Sequence, residues 1–141
     1  MKQRTIKESF SLKGKGLHSG LQTTITFRPA PVDFGYRIQR TDLEGSPVII
    51  ASAGNVKHSQ RCTLLSVDGV EVATIEHALA ALYGCEIDNC LIEIDSPEFP
   101  ILDGSSIEYV QQIQRVGFEV QAKERIYFEV EQHIEYVDAE T

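Results

Sequence analysis

The sequence contains no run of about 18 apolar residues, so it offers no membrane-spanning helix. Behind Met1, the stretch Lys2-Gln3-Arg4-Thr5-Ile6-Lys7 is basic, but no apolar segment follows it, which predicts no secretory leader. Cysteine is scarce. Cys62, Cys85 and Cys90 are odd in number and none has C-x-x-C spacing. That argues against a disulfide framework or a structural zinc knuckle and predicts a reducing, cytoplasmic setting. Low-complexity tracts and internal repeats are absent too, so disorder is not the expectation. Positive charge is the minority sign: 13 Lys and Arg stand against 21 Asp and Glu, a net charge of −8. A nucleic-acid partner is therefore excluded as the primary reading.

What is present is enough for one domain. The chain has 141 residues, 42% of them hydrophobic, which suffices for a core. Its charge is uneven. Residues 1–70 carry ten Lys/Arg and five Asp/Glu, whereas residues 71–141 carry three and sixteen. This reads either as solvated surface or as a basic half facing an anionic ligand. The acidic half would also suit a basic partner.

Thr5 to Leu12 alternates loosely and reads as a strand. Gly14 to Gly20 reads as a glycine-rich turn. Its Gly14-x-Gly16 has phosphate-cradle spacing but no following helix, so a tight hairpin is preferred. Leu21 to Phe27 alternates and is β-branched, hence a strand, and Arg28-Pro29-Ala30-Pro31 is expected to stop it. Tyr36 to Gln39 and Val48 to Ile50 read as short strands. Cys62 to Val67 and Val70 to Ala73 flank Asp68-Gly69, a hairpin signal. The period then changes. Ile75, Leu79 and Leu82 recur at i, i+4 and i+7, one helical face, with Thr74 as expected N-cap and Gly84 just past the end. Cys90 to Ile94 reads as a buried strand. Asp103-Gly104-Ser105-Ser106 reads as a turn and cap. Ser105 and Glu108 have capping-box spacing, opening a second helix that ends at Gly117. Ile126 to Val130 and Ile134 to Val137 read as further strands. Strands with two late helices predict an α+β two-layer sandwich, a mainly antiparallel sheet with both helices on one face.

On a wheel at about 100° per residue, Glu76 and His77 fall opposite the core stripe, beside Ala80 and Ala81. Catalytic zinc takes three protein ligands and keeps one open position. The positions around His77 at i±3 and i±4 are Ala73, Thr74, Ala80 and Ala81, none of them a good zinc ligand. If His77 binds a metal, the other ligands come from elsewhere in the fold. Glu76 then suits a base beside metal-activated water. Taken alone, a Glu-His dipeptide on a helix face reads as solvated surface. Cys62 taken alone reads as a small core residue.

Several stretches together bear a resemblance. Gly16-Leu17-His18-Ser19-Gly20, Arg28-Pro29-Ala30, the run from Thr74 to Leu82, Ile87-Asp88-Asn89, and the run from Asp95 to Ser105 stand in an ordered series. Their order and spacing resemble the bacterial UDP-3-O-acyl-N-acetylglucosamine deacetylase family, over residues 3–118. The resemblance implies a cytoplasmic, zinc-dependent amide hydrolase of two similar α+β domains, acting at the committed step of lipid A biosynthesis. It implies Zn2+ on His77 and a general base at Glu76. Leu17 and His18 would border the active site and, with Cys62 and Thr63, are the substrate-contact candidates. The family's other ligands, a His and an Asp four residues later, and the His that acts as its general acid lie in its second domain. No His-x-x-x-Asp occurs here, and His133 is followed at that spacing by Val137. The expectation is thus a first domain over 1–120 and the start of a second over 121–141. The rest of that second domain and the UDP-linked substrate are its implied partners. The chain departs from the family at His58-Ser59, where Asp-Thr is usual. Two other readings stay open: a non-catalytic module binding a partner through the Ala-rich helix face, and an enzyme pooling ligands between two copies.

Overall fold

The computed structural model describes residues 1–137. Ten strands and two helices are arranged as an α+β sandwich, as the order of elements predicts. The main layer is a five-stranded sheet in the order β2-β3-β9-β4-β5. Its members are β2 (Phe10–Lys15), β3 (Gln22–Pro29), β9 (Cys90–Ile94), β4 (Tyr36–Arg40) and β5 (Val48–Ile50). All neighbours are antiparallel except β4 and β9, which run parallel. Alternation sends Thr23, Ile25 and Phe27 of β3 inward, and Cys90, Ile92 and Ile94 of β9 lie beside them. Each fully buried Ile or Phe contributes about 1.5–3 kcal/mol of hydrophobic stabilisation.

Helices α1 (Glu76–Gly84) and α2 (Ile107–Val116) pack on each other and complete this core. From α1 come Ala78, Ala81 and Leu82, and from α2 Tyr109, Ile113 and Val116. Phe10 stacks on Phe27 at 4.7 Å, and Tyr109 meets Phe27 edge-on at 5.8 Å. The Tyr109 hydroxyl donates to the Pro100 carbonyl at 3.0 Å, so its burial leaves no orphaned donor. No helix among the described residues is long and apolar enough to cross a membrane.

Two small sheets flank this body. β6 (Val56–His58), β7 (Leu64–Val67) and β8 (Val70–Ala73) form an antiparallel meander. Asp68 and Gly69 turn it with φ of +50° and +81°, the positive pair a type I′ turn demands. β1 (Lys2–Ile6) pairs antiparallel with β10 (Phe118–Glu124). Position 120 falls inside β10, and residues 138–141 of the expected second segment lie outside the described residues.

Several local expectations are corrected. Thr5 to Leu12 is not one strand, because the chain leaves β1 at Ile6 and joins a different sheet at Phe10. β3 does end inside the expected stretch, with Pro29 as its last residue. That proline lies opposite Cys90, whose N–H points to the Gly35 carbonyl on the other side, so no ladder bond is lost. The segments 126–130 and 134–137 form no strands, since no neighbouring strand pairs with them among the described residues.

Candidate active site

β8 delivers the chain into α1 through a bend at Thr74, where φ is +59°. A β-branched residue in that left-handed region is strained, and such strain persists only where surroundings hold it. Two contacts do so. The Thr74 N–H donates to the Thr63 carbonyl at 3.1 Å, and its hydroxyl donates to Glu98 Oε1 at 2.9 Å. Thr74 is therefore not the N-cap that local pattern predicts, because its side chain is engaged by Glu98. Ile75 takes the cap position with helical φ and ψ and no side-chain cap bond. Gly84 is the last helical residue, and the left-handed position falls on Glu86.

Glu76 stands in the first turn of α1, where the helix dipole favours an anion. Its Oε2 accepts the Thr63 N–H at 3.1 Å. Thr63 thus brackets the helix start, its N–H on Glu76 and its carbonyl on Thr74. His77 is half-buried and lies near Asp103. The Ser105 N–H and hydroxyl each donate to Asp103 Oδ1 at 2.9 Å. These bonds, foremost the N–H, hold Asp103 below its usual pKa, with the His77 imidazole adding to the effect. The Ser105 hydroxyl also accepts the Ile107 N–H at 3.1 Å. The expected capping box is replaced in this way, because Asp103 occupies the Ser105 N–H that Glu108 would need. The wheel is corrected as well. Ala81 faces the core because α1 is covered by α2 as well as by the sheet, while Ala80 and the 82%-exposed Tyr83 face outward. The small-residue face on which an interaction module would rely is thereby reduced.

The connection from β2 to β3 folds over the same region. Gly20 N–H bonds to Gly16 O, and Gly16 N–H bonds to Leu21 O, each at 3.0 Å. This is a six-residue loop, longer than a tight hairpin. The His18 N–H donates to Glu98 Oε1 at 3.0 Å and the Ser19 N–H to Oε2 at 2.7 Å. Only glycine fits at position 16, since a Cβ there would lie 2.4 Å from Glu98 Oε2. Glu98 is 2% exposed. Burial pushes its pKa up, but the His18 and Ser19 donors and the Thr74 hydroxyl outweigh this and hold it below the ordinary value.

An open groove of about 380 Å³ lies between this loop and the β6–β8 meander, lined among others by His18, Ser19, His58, Cys62, Pro97 and Glu98. The structure therefore brings His18 and Cys62 to one groove. Leu17 is exposed on the loop beside it, and Thr63 meets Glu76 through its backbone. His133 is exposed in the tail, in none of these elements. Glu98 escaped sequence reasoning as a functional residue, although its block was part of the resemblance. Its one local signal is an acid set between Pro97 and Pro100 ahead of Phe99. A metal would find His77 a chemically suitable donor here. The set is incomplete, however: among the described residues no three His, Cys, Asp or Glu side chains converge.

A family model described as UDP-3-O-acyl N-acetylglycosamine deacetylase matches residues 3–141. The chain is 55% identical, over all of its 141 residues, to the bifunctional enzyme LpxC/FabZ of Bacteroides thetaiotaomicron, of which it covers 31%. The like-named protein of Porphyromonas gingivalis is 54% identical over 99% of the chain, which covers 30% of it. The UDP-3-O-acyl-N-acetylglucosamine deacetylase of Shewanella woodyi is 45% identical over 98% of the chain, which covers 46% of it. The chain thus spans less than half the length of these relatives.

Proposed function

The chain belongs to the UDP-3-O-acyl N-acetylglycosamine deacetylase family, and from that premise we propose that it forms the Glu76–His77 half of a zinc-dependent deacetylase. The reaction is hydrolysis of the acetamide of UDP-3-O-acyl-N-acetylglucosamine, releasing acetate on the way to lipid A. Residues 1–120 would form the first domain and residues from 121 would open the second. The observation that carries this reading is the Glu76 carboxylate, fixed by the Thr63 N–H at the start of α1, directly beside His77.

In that role Glu76 takes a proton from the attacking water. Oxygen adds to the acetamide carbon, the C–N bond breaks, and the amine leaves with a proton. His77 would be one zinc ligand, and the other ligands and the general acid would come from chain outside these 141 residues. A zinc held there supplies Lewis acidity toward water and carbonyl. Leu17, His18, Cys62 and Thr63 would border the substrate, and the cytoplasm would be the site of the reaction.

The test uses the intact natural protein. Glu76→Gln is expected to lower kcat by about 10²–10⁴-fold while bound zinc is kept. His77→Ala is expected to lose zinc, measured by elemental analysis. Full activity and full zinc in both variants would overturn the reading in favour of an interaction module.

A further inference from the structure

We propose that Glu98 is the positioning residue of this site: its buried carboxylate ties the Gly16–Gly20 loop and Thr74 to one point, and so sets the loop bearing His18 against the start of the helix bearing Glu76. The catalytic consequence rests on the deacetylase reading above, whereas the positioning itself does not.

Glu98 is a buried acid to which the reaction assigns no step. A buried carboxylate is costly unless its oxygens are satisfied. No Lys or Arg pairs with it among the described residues; neutral donors hold it instead. These are the His18 N–H, which reaches both oxygens at 3.0 and 3.2 Å, the Ser19 N–H at 2.7 Å and the Thr74 hydroxyl at 2.9 Å. They come from two separate segments, the β2–β3 loop and the entry to α1.

The carboxylate cannot drift, because its own backbone is fixed on both sides. The Glu98 carbonyl accepts the Thr23 hydroxyl at 3.1 Å. Its neighbours bracket Ala73, with Ala73 N–H on the Pro97 carbonyl at 2.9 Å and Phe99 N–H on the Ala73 carbonyl at 3.0 Å. The strained φ of Thr74 is thus held by Glu98 on one side and by Thr63 on the other. Thr63 in turn donates to Glu76. A continuous series of bonds runs from the His18 loop through Glu98, Thr74 and Thr63 to Glu76. A neutral amide cannot replace the acid, since its NH2 would face an N–H donor of the loop.

Glu98→Gln in the intact natural protein tests this by two measurements. Hydrogen exchange at the amides of His18, Ser19 and Thr63 is expected to accelerate about tenfold or more, with a smaller change at Ile92 in the central strand. Deacetylation kinetics are expected to show kcat/KM down about 10- to 100-fold, with KM raised as well as kcat lowered. A merely structural role would lower the melting temperature and leave KM of the folded protein unchanged. Thr74→Ser keeps the hydroxyl and is expected to retain near-normal kinetics, whereas Thr74→Val is expected to reproduce part of the loss. Should Glu98→Gln fail to fold, Thr74→Val decides by the same exchange at Thr63. Unchanged exchange at His18, Ser19 and Thr63, or unchanged kcat and KM in an active enzyme, overturns the proposal. A wild-type protein with no deacetylase activity overturns the functional reading instead, and exchange alone then decides the role of Glu98.

Discussion

Glu98 also sets a limit on the acid stability of the molecule. Its donors hold the folded-state pKa below the ordinary 4.5, against the opposing push of burial. The sign follows from linkage. As pH falls through the ordinary carboxylate range, the unfolded chain takes up this proton first. The stability that Glu98 contributes is therefore complete above about 4.5 and is lost as pH drops toward the lower folded value. Melting temperatures at pH 7 and pH 3.5 should differ more in the wild type than in Glu98→Gln, which has no proton to bind there. An equal drop in both would show that other carboxylates govern the acid limb. Asp103 acts in the same direction, but it is exposed and bonds mainly to Ser105 two residues away, so solvent screens its share.

At the scale of elements, local signals succeed where an element's shape is decided by its own residues. The β7–β8 hairpin is the clearest example. Asp68 and Gly69 take the two positive φ values that its turn type requires. Gly69→Ala puts a Cβ at φ +81°, in open space but in the wrong region of backbone conformation, at a cost of about 1 kcal/mol. A melting temperature about 3–5 °C lower is expected, read by calorimetry; no change would mean that the turn re-forms differently. The body of α1 was legible from the period of Ile75, Leu79 and Leu82, and Gly117 ends α2 with φ +74°, as expected of a glycine there. The start of α1 was not legible, because the partner of Thr74 is Glu98, 24 residues away. Ala81 was misplaced because a wheel carries no information on α2, which covers the helix from a second side. Nor does any local pattern show that β4 and β9 lie parallel side by side. For the candidate site, Glu76 and His77 are singled out by resemblance, whereas the bond that holds the Glu76 carboxylate comes from Thr63, 13 residues earlier, which no local pattern shows.

Over the whole molecule, the charge asymmetry of the sequence turns out to be partly internal. Arg4 pairs with Glu86, Arg28 with Glu93 and Lys57 with Glu71, each joining the basic half to the acidic half. These partly exposed pairs contribute little individually, but they leave fewer free cations for an anionic ligand. The first and last strands, β1 and β10, meet through an amide knot centred on a buried side chain. Asn89, 1% exposed, donates to Gln3 Oε1 at 2.8 Å and to Gln121 Oε1 at 2.7 Å, and accepts the Gly35 N–H at 2.8 Å. Gln121 passes the connection to the Ala30 carbonyl. Beyond β10, Arg125 continues the attachment with two bonds to Asp88, at 2.6 and 2.8 Å. Asn89 is thus the point where β1, β9, β10 and the loop before β4 share one side chain. Asn89→Ala would leave the Gly35 N–H and Gln121 Oε1 without their partner, while Gln3 Oε1 keeps the Asp33 N–H, at about 1–3 kcal/mol for each group that stays dry. The five-stranded sheet does not depend on these bonds, so the damage should be local. Amides of Val120 and Gln121 are expected to exchange faster by about 100-fold, well ahead of Ile92, and the urea midpoint to fall. Equal acceleration at Gln121 and Ile92 would show instead that β1 and β10 unfold only together with the main sheet.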